Sequence, residues 1–455
     1  MSLAYFEQRE KSLLGDRYET LYTPCRQRAE RGITVNALRA SVQEVAGRMG
    51  ALCEPSPFCP QGLVLLGEQV KPGRHPYYHA GVYYSQEPSA SSAAALLEVQ
   101  PGMRVLDLCA APGGKSSQLG SALGGQGLLV SNEYNASRAE ILKSNLERMG
   151  FPNAVILNES TDHIAEVLPG FFDRVLVDAP CSGEGMFRKE PQAMAQHNEG
   201  LVRQCAALGA QILENAAQCL APGGILVYST CTFAPEEDEA QVGAFLQKHP
   251  EFTLLPTTEA FGSPGEANRL LGTKADVSLM RRIWPCQGGE GHFLAKLQKS
   301  ADAPAAQRPA PKKTRQKPPK PVPEWAEFAK EYFPLLQNSP ARLAGEAVVL
   351  PIDCPPEMEK LHIVRGSIRA GTIKKGRFEP AHHLFMVYGA QCSNCEQLTL
   401  DDARTEAWLR GEEIEAQTAQ KGWCAVLVEG FPLGFGKVSG GKIKNHYPKA
   451  LRNLK

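Results

Sequence analysis

The stretch VLDLCAAPGGKSSQLG, residues 105–120, joins the end of an apolar segment to a glycine-rich turn and the start of a helical pattern. The turn shares Gly114, Lys115 and Ser116 with a phosphate-binding P-loop, whose pattern is G-x-x-x-x-G-K-[ST]. The first glycine of that pattern falls on Cys109. Because that glycine begins the loop that wraps the phosphates, an ATPase or GTPase is disfavoured. The surrounding strands must therefore decide what this turn binds.

Short apolar segments alternate with helical patterns from about residue 100 to 298, which indicates a parallel α/β sheet. The predicted strands are RVLDLC, LLVSNE, AVILNE, RVLVDAP, GILVYST and HFLAKLQ. Between the second and third strands, NASRAEILKSNLERMG predicts a helix that begins near Asn135 or Ser137 and ends at Gly150. The predicted fold class is a Rossmann-like, doubly wound α/β domain.

Two further regions flank this domain. Residues 1–85 carry short helical patterns in which four arginines alternate with apolar positions: Arg26, Arg28, Arg31 and Arg39. We expect a small, mainly helical domain with a basic, RNA-binding face, and a merely solvated helix surface is the alternative. The last segment, FPLGFGKVSGGKIKNHYPKALRNLK, contains no acid and interleaves lysines and an arginine with Phe431, Phe435 and Tyr447. Such interleaving favours a β-rich RNA-binding module over a generic capping domain.

The predicted domain order is 1–85, 86–298, a linker at 299–323 and a C-terminal RNA-binding region at 324–455. Prolines and basic residues dominate the linker KSADAPAAQRPAPKKTRQKPPKPVP, which predicts an extended, semi-rigid segment. It either follows a phosphate backbone or only aids solubility. After it, EWAEFAKEYF predicts a helix, and RLAGEAVVL and HIVRGSIRAGTIKKGRFEP predict short strands.

Composition limits the classes of partner. Of the 455 residues, 49 are Lys or Arg and 49 are Asp or Glu, so an RNA partner would depend on local clusters of basic residues. No apolar signal region and no run of about 18 apolar residues is present, so we expect a cytoplasmic protein without a membrane partner. The 13 cysteines are expected to be reduced thiols. We also expect a monomer.

The glycine-rich turn is expected to face a nucleotide-containing cofactor. In an open α/β sheet, ligands bind at the carboxyl ends of the strands, and residues 109–115 occupy that position. Gly113 and Gly114 permit close approach of the backbone. Glu133, about 26 residues beyond Asp107, can accept hydrogen bonds from two ribose hydroxyls, although an acid capping the next helix is the alternative. An acid here favours an unphosphorylated ribose, as in NAD or S-adenosylmethionine.

Two later strands end at cysteines, and these cysteines favour S-adenosylmethionine over NAD as the cofactor. VLVDAPCSGEGMFRKEP contains Asp178 and Cys181, and GGILVYSTCTFAPEEDE contains Cys231. A dehydrogenase has no evident use for both thiols. An enzyme that methylates carbon 5 of cytosine can use both. A thiolate that adds to carbon 6 makes carbon 5 nucleophilic, a carboxyl group or cation assists at N3, and a second acid/base group assists release. These residues, together with Lys115, supply that set.

Three motifs in order, LDLCAAPGGKSS, VDAPCSGEGMFRK and YSTCTF, resemble the Nol/Nop/Sun family of RNA cytosine-5 methyltransferases. GVYYSQEPSA before them and GEGHFLAKL after them also fit. The resemblance covers roughly residues 1–300, and the C-terminal third resembles the PUA-like, RNA-binding extension of the bacterial ribosomal RNA branch known as RsmF. It implies an S-adenosylmethionine-dependent enzyme that methylates cytosine in 16S ribosomal RNA, alone or in the 30S subunit, near the decoding region.

The resemblance also implies roles for the catalytic residues. Cys231 is the nucleophile, and Cys181 assists release of the methylated RNA. Lys115 and Asp178 border the target base and the methyl group, so Asp178 also counts among the cofactor-binding residues. How Cys231 is activated is left open, and Lys115 is a candidate for electrostatic help.

The remaining implied residues bind the cofactor. One loop would wrap its methionine end: Cys109, Ala110, Ala111, Pro112, Gly113, Gly114 and Lys115. Glu133 would hold the ribose, and Arg138 would support that site. Many relatives have an aspartate near the adenine after the third strand, where this chain reads NESTDHI. Either Asp162 or, with a shift of two residues, Ser160 takes that role.

Other classes remain as alternatives. A tRNA cytosine-5 methyltransferase would use the same chemistry, and a non-catalytic ribosome-assembly factor would not need the two cysteines. A nucleotide-dependent oxidoreductase would favour G-x-G-x-x-G where this chain reads CAAPGGK. The CSNC segment at 392–395 suggests zinc, but the further residues that could act as ligands are irregularly spaced: Cys354, His382, His383 and Cys424. We therefore expect no metal.

Overall fold

The computed structural model describes residues 2–26, 28–67, 69–257, 261–305 and 321–453. Its N-terminal part contains α1 Ser2–Leu14, α2 Arg17–Tyr22, β1 Gly32–Val35, α3 Val42–Met49, β2 Cys53–Pro55, β3 Gly62–Leu65, α4 Pro76–His79 and β4 Tyr83–Gln86. The helices agree with the predicted helical character. The four strands form an antiparallel sheet in the order β2-β3-β1-β4, which the sequence analysis did not predict.

The central part forms the largest sheet of the described residues. Its elements are α5 Ser92–Leu96, β5 Arg104–Asp107, α6 Gly114–Ala122, β6 Leu128–Asn132, α7 Ala136–Met149, β7 Ala154–Leu157, α8 Thr161–Val167, β8 Phe172–Asp178, α9 Pro191–Gln196, α10 Glu199–Cys219, β9 Leu220–Thr230, α11 Glu239–Lys248, β10 Phe252–Leu254, β11 Ser263–Pro264, β12 Arg281–Ile283 and β13 His292–Lys299. All six predicted strands are present, as β5 to β9 and β13. The predicted helix α7 also forms, with Asn135 as its N-cap and Gly150 as its C-cap.

The strand order confirms a doubly wound sheet. It runs β11-β12-β13-β9-β8-β5-β6-β7, with β10 paired to β13. The strands from β9 to β7 are parallel, and β13 is antiparallel to β9. The chain leaves β5 in one direction toward β6 and β7 and later returns on the other side to β8 and β9. The carboxyl ends of β5 and β8 therefore flank the switch point, where such sheets bind ligands.

The C-terminal part adds to this sheet and forms two sheets of its own. Its elements are α12 Pro323–Tyr332, β14 Arg342–Ala344, β15 Ala347–Pro351, β16 Ile363–Arg365, β17 Ser367–Lys374, β18 Arg377–Pro380, α13 His382–Tyr388, β19 Cys395–Leu398, α14 Ala403–Arg410, β20 Ile414–Glu415, β21 Gly422–Val428, β22 Phe431–Ser439 and β23 Lys442–Asn445. β16 pairs antiparallel with β7 and extends the central sheet. The sheets β14-β15-β17-β18 and β19-β21-β22-β23-β20 confirm a β-rich region.

Apolar side chains cover both faces of the central sheet. Along β5, Leu106 packs into one buried cluster and Val105 into the cluster on the opposite face. This alternation follows from the two-residue period of a strand, and continuous burial on both faces is typical of parallel sheets. The core therefore holds the strand ends, and the loops that follow them, in fixed positions.

The N-terminal and C-terminal parts share one hydrophobic core. Ile33 and Leu63 of the first sheet belong to the same buried cluster as Trp408 of α14 and Val426 of the last sheet. Within this contact, the Tyr447 hydroxyl lies 2.8 Å from His79 Nδ1 in a buried hydrogen bond. The two ends of the chain are thus packed into one body.

Replacement of Trp408 by alanine is expected to destabilise both ends of the chain together. The side chain is fully buried in the shared core, so its removal should lower the free energy of unfolding by about 3–5 kcal/mol. Amide hydrogen exchange should become faster in β1 and β3 as well as in β21. Trp325→Ala, in a separate cluster, is the matched control, since it should leave exchange in β1 and β3 unchanged. Unchanged exchange in β1 and β3 of the Trp408 variant would contradict a shared core.

Several residues predicted for RNA-binding faces have other surroundings. Arg39 is partly buried, donates a hydrogen bond to the Met386 carbonyl and has its pKa lowered to about 10 by burial, so it does not belong to an exposed basic face. Phe435 and Tyr447 are buried and are not free for base stacking. The prediction was wrong at these three positions because the sequence does not show that they face the interior of the assembled chain.

The remaining expectations about organisation concern the linker and the membrane. Residues 306–320, most of the predicted linker 299–323, lie outside the described residues. Within the described part of the chain, no helix combines the length and the apolar character that crossing a bilayer requires.

Candidate functional site

A cavity of about 220 Å³ opens at the carboxyl ends of β5 and β8. Strand β4 of the N-terminal sheet forms one wall, and the glycine-rich loop forms the other. The lining residues are Tyr84, Ser85, Gln86, Glu87, Ala90, Cys109, Ala110, Ala111, Pro112, Gly114, Lys115 and Asp178. Six of the seven predicted loop residues therefore line it. The wall from β4 lies in the motif GVYYSQEPSA, for which the sequence analysis proposed no role.

Glycines shape the loop between β5 and α6. Gly113 has φ +116°, in the region that favours glycine, and precedes the first residue of α6. A Cβ on Gly114 would lie 3.1 Å from the side chain of Gln86 and 3.2 Å from the ring of Tyr84. A side chain at Gly114 would therefore crowd the wall of the cavity, and this explains why the loop needs glycine there.

Glu133 and Arg138 lie beside this loop. The Glu133 carboxylate is buried, accepts a hydrogen bond from the Asn135 amide at 2.8 Å and lies 3.4 Å from Arg138 Nη1. Arg138 Nη2 donates to the Ala111 carbonyl at 2.9 Å. Glu133 thus contacts the start of the next helix, α7, as expected if it caps that helix. Arg138 links Glu133 to the glycine-rich loop.

The two candidates for the adenine side occupy the start of α8. Ser160 is its N-cap residue, and its amide donates to the Glu159 carboxylate at 3.0 Å. Asp162 is exposed in the first turn of the helix. The choice between them stays a prediction.

Asp107 is a buried acid at the end of β5, before the loop, and no role for it was predicted from the sequence. Ser116 donates to its carboxyl group at 2.6 Å and also lies 2.8 Å from the Ser131 hydroxyl. Burial, more than any other cause, raises the pKa of Asp107 to about 7. This hydrogen-bonded group connects β5, β6 and α6, so it holds the glycine-rich loop on the sheet.

Lys115 and Asp178 form an ion pair at the edge of the cavity. Lys115 Nζ lies 2.7 Å from Asp178 Oδ2, and the Ser229 hydroxyl donates to Asp178 Oδ1 at 2.8 Å. Burial favours the neutral form of both groups, but their mutual attraction outweighs it, lowering the pKa of Asp178 and raising that of Lys115. The site therefore presents a charged ammonium and a carboxylate at neutral pH.

The two cysteines predicted from the strand ends lie side by side. Cys181 Sγ and Cys231 Sγ are 3.3 Å apart, and both residues are partly buried. The hydrogen bond to Cys231, followed by burial, raises the pKa of the Cys181 thiol well above its ordinary value. Cys181 therefore keeps its proton and can donate it toward the sulfur of Cys231. Lys115 is close enough to Cys231 for an electrostatic interaction with that residue to help raise the pKa of Lys115.

Glu237 joins the loops that follow the two cysteines, and no sequence pattern pointed to it. Its carboxyl group accepts from the Ser182 amide at 2.9 Å and from the Ser182 hydroxyl at 2.6 Å. Ser182 Oγ also lies 2.7 Å from Thr232 Oγ1, and the Gly185 amide donates to the Cys231 carbonyl at 2.9 Å. These bonds fix the residues that follow each cysteine.

The pKa of Glu237 predicts a dependence of stability on pH. Burial raises this pKa to about 8 from an ordinary value of 4.5. Between these values the folded protein keeps a proton that the unfolded chain releases, so the free energy of unfolding falls as pH rises through this window. Glu237→Gln is expected to remove a slope of up to about 1.4 kcal/mol per pH unit, measured by urea unfolding across the window. Glu199→Gln, on an exposed residue, is the control, and an unchanged slope in the Glu237 variant would contradict the assignment.

The CSNC segment does not gather a set of metal ligands in the structure. Cys392 and Cys424 are buried, while Cys395 and Cys354 are partly buried. The described residues contain no group of three or more His, Cys, Asp or Glu side chains arranged to hold a metal ion. The expectation that the protein uses no metal stays a prediction.

Comparison with known proteins gives relatives along nearly the whole chain. Ribosomal RNA small subunit methyltransferase F of Aeromonas salmonicida (strain A449) is 32% identical over 451 residues, covering 94% of this chain and 92% of that protein. The protein of the same name from Klebsiella pneumoniae (strain 342) is 30% identical over 465 residues, covering 95% and 92%. A solved structure described as a methyltransferase homolog protein from Pyrococcus horikoshii matches with a TM-score of 0.59 and 30% identity, over 65% of this chain and 94% of that one.

Four family models match successive parts of the chain. The model for 16S rRNA methyltransferase RsmB/F matches residues 94–298, and that for the N-terminal domain of RsmF matches 4–88. The first C-terminal domain of RsmF matches 327–387, and the RsmF PUA domain matches 395–453. Together with the relatives that cover nearly the whole chain, these matches place the chain in the RsmF family of methyltransferases.

Proposed function

We propose that this methyltransferase uses S-adenosylmethionine to methylate carbon 5 of cytosine in 16S ribosomal RNA, through a covalent bond between Cys231 and carbon 6. The observation that carries the proposal is the pair of thiols 3.3 Å apart, next to the ion pair of Lys115 and Asp178. Covalent activation of a pyrimidine needs a nucleophile, a charged group near the ring and an acid/base group for release. A protein that only binds RNA needs none of them.

The cavity supports S-adenosylmethionine as the cofactor. The backbone of the glycine-rich loop lies against the cavity because Gly114 has no side chain. The Glu133 carboxylate accepts one hydrogen bond from Asn135 and can still accept others from ribose hydroxyls. We assign residues 109–115, Glu133, Arg138 and Asp178 to this site, with Asp162 or Ser160 on the adenine side. When bound, S-adenosylmethionine supplies an electrophilic methyl group.

The described side chains suggest an order of events. The Cys231 thiolate adds to carbon 6 of the cytosine, and Lys115 stabilises that thiolate and can donate to N3 of the ring. Asp178, held by Ser229, keeps the ammonium of Lys115 in place. After methylation, a base removes the proton from carbon 5, the electrons of that bond re-form the double bond between carbons 5 and 6, and the bond between carbon 6 and sulfur breaks with its electrons returning to Cys231. A proton donated to N3 returns to Lys115. Cys181, adjacent to that sulfur, assists this release.

Basic surfaces at both ends of the chain support an RNA substrate. A cavity of about 790 Å³ in the N-terminal part is lined by four basic residues, Arg26, Arg28, Arg31 and Lys71, and by one acid, Glu30, which pairs with Arg26. In the C-terminal part, Lys437 and Lys444 are exposed and lie opposite each other on the neighbouring strands β22 and β23. Clustered positive charge binds the phosphate backbone of RNA. We assign residues 1–85 and 324–455 to RNA binding, and a substrate of this kind agrees with the expected cytoplasmic location.

The test is to incubate the purified protein with methyl-labelled S-adenosylmethionine and, separately, 30S subunits, naked 16S RNA and tRNA. The labelled nucleotide is then identified and mapped as 5-methylcytidine or another product. Label at cytosine in 16S RNA or in the 30S subunit is the expected result. Label only in tRNA would retain the chemistry and change the substrate. Label at another atom would refute the covalent mechanism, and no label in any RNA would favour a binding factor.

A further inference from the structure

His292 occupies a position in the site to which the mechanism above gives no role. It is the first residue of β13, in the motif GEGHFLAKL. The register pairs Phe293 with Thr230 across β13 and β9, so His292 lies one position further along, opposite Cys231. Ser229 is paired with both Leu294 and Asp178. Because side chains alternate along a strand, His292 shares a face of the sheet with Asp178.

The surroundings of the imidazole agree with this placement. His292 Nε2 lies 4.0 Å from Asp178 Oδ1, the oxygen that also accepts the hydrogen bond from Ser229. The charges of Lys115 and Glu87 also act on the ring, and both of these residues line the cavity. His292 therefore lies beside the ion pair of Lys115 and Asp178, at the edge of the cofactor cavity.

The imidazole is buried without the partners that a buried polar group normally has. The residue is 2% exposed, and neither ring nitrogen has a hydrogen-bond partner of ordinary geometry among the described residues. Leaving such a group unpaired costs free energy, and most buried polar side chains avoid it. A ligand that brings its own donors and acceptors to this point would remove the cost.

The charge state of the ring limits what it can do. Burial, followed by the charge of Lys115, lowers the pKa of His292 to about 4. The ring is therefore neutral at physiological pH, with one nitrogen that donates and one that accepts. A neutral imidazole suits the edge of an uncharged base, which carries both acceptors and an amino donor. It is poorly suited to a phosphate group.

We propose that His292 contacts the target cytosine, whose polar edge supplies the hydrogen-bond partner that the imidazole lacks. This inference rests on the proposed function, since it assumes that the base enters beside Cys231. His292 would then read and orient the base, with Asp178 and Lys115 on the same side. The inference assigns a role to the motif GEGHFLAKL.

The test compares His292→Phe, which keeps a ring without hydrogen-bonding atoms, with His292→Gln, which keeps a donor and an acceptor. Formation of 5-methylcytidine is measured in single turnovers on the RNA that the wild-type protein methylates, and binding of S-adenosylmethionine is measured by calorimetry. We expect the phenylalanine variant to lose about 10- to 100-fold in rate, as loss of a buried hydrogen bond would cause, and the glutamine variant to retain more. Binding of S-adenosylmethionine should be unchanged in both. His383→Phe, at a buried histidine of the C-terminal part, is the control for loss of a buried imidazole.

Other outcomes would overturn the inference. A phenylalanine variant with the wild-type rate would show that the imidazole nitrogens are not used. Equal losses in both variants, or a loss in the glutamine variant alone, would assign the effect to ring packing. Weakened binding of S-adenosylmethionine would place His292 in the cofactor site. If the wild-type protein itself forms no 5-methylcytidine, the proposed function fails, which is a separate result from any difference between the variants.

Discussion

Cys231→Ala is expected to abolish methylation, whereas Cys181→Ala should trap RNA on the protein. Loss of the attacking thiolate should lower the rate by at least about a thousandfold, as for other covalent enzymes that lose their nucleophile. Cys181, 3.3 Å away, acts after the bond to RNA has formed, so its loss slows release. The measurement is denaturing electrophoresis with labelled RNA, together with quantitation of 5-methylcytidine. The covalent complex should accumulate only in the Cys181 variant.

Cys205→Ala is the matched control for these two variants. It removes a partly buried thiol of the same domain that takes no part in the pair. This control should methylate RNA normally and show no accumulated complex. If the Cys231 variant accumulated the complex while the Cys181 variant formed none and lost activity, the roles of the two cysteines would be reversed. If neither variant lost activity, the covalent mechanism would be refuted.

Asp178→Asn is expected to produce the second large loss, of about 10²- to 10⁴-fold in the rate of methyl transfer. The substitution removes the charge that outweighs burial and keeps Lys115 protonated. An amide cannot hold the ammonium in the same way, so both the orientation and the charge of Lys115 change. Single-turnover formation of 5-methylcytidine measures the effect, and circular dichroism checks that the variant is folded.

Two graded controls accompany this prediction. Ser229→Ala removes one hydrogen bond to the same carboxylate, so we expect a loss of about tenfold, smaller than that of the asparagine variant. Asp162→Asn changes an exposed acid, and its effect should be confined to affinity for S-adenosylmethionine. A rate unaffected by Asp178→Asn would remove the ion pair from the mechanism.

Much of the central fold could be predicted because its signals are local. The apolar segments that became β5 to β9 and β13 are separated by helical patterns with recognisable ends, such as Asn135 and Gly150 around α7. The carboxyl ends of parallel strands meet at one edge, so residues that follow different strands could be expected to come together. The structure does bring Lys115 to Asp178 and Cys181 to Cys231. Their roles in the reaction remain proposals.

The parts that could not be predicted depend on contacts between distant segments. The N-terminal sheet has strands of three or four residues, too short to show a clear alternation. Phe435 and Tyr447 resemble exposed stacking residues in sequence but are buried when the last sheet assembles. Glu237 and His292 carry no recognisable spacing. Only the folded chain shows that Glu237 joins the cysteine loops and that His292, which has no hydrogen-bond partner among the described residues, lies beside Asp178.

The sequence by itself determined the doubly wound sheet, the glycine-rich loop and the cysteines at two strand ends. These features depend on residue type and on spacing along a strand or turn, which short-range sterics and hydrophobic periodicity govern. The tertiary structure alone decided the wall that β4 adds to the cavity, the strand β16 beside β7 and the core shared by both ends of the chain. Those features arise from contacts between segments that are not neighbours in the sequence, and such contacts have no local pattern in the sequence.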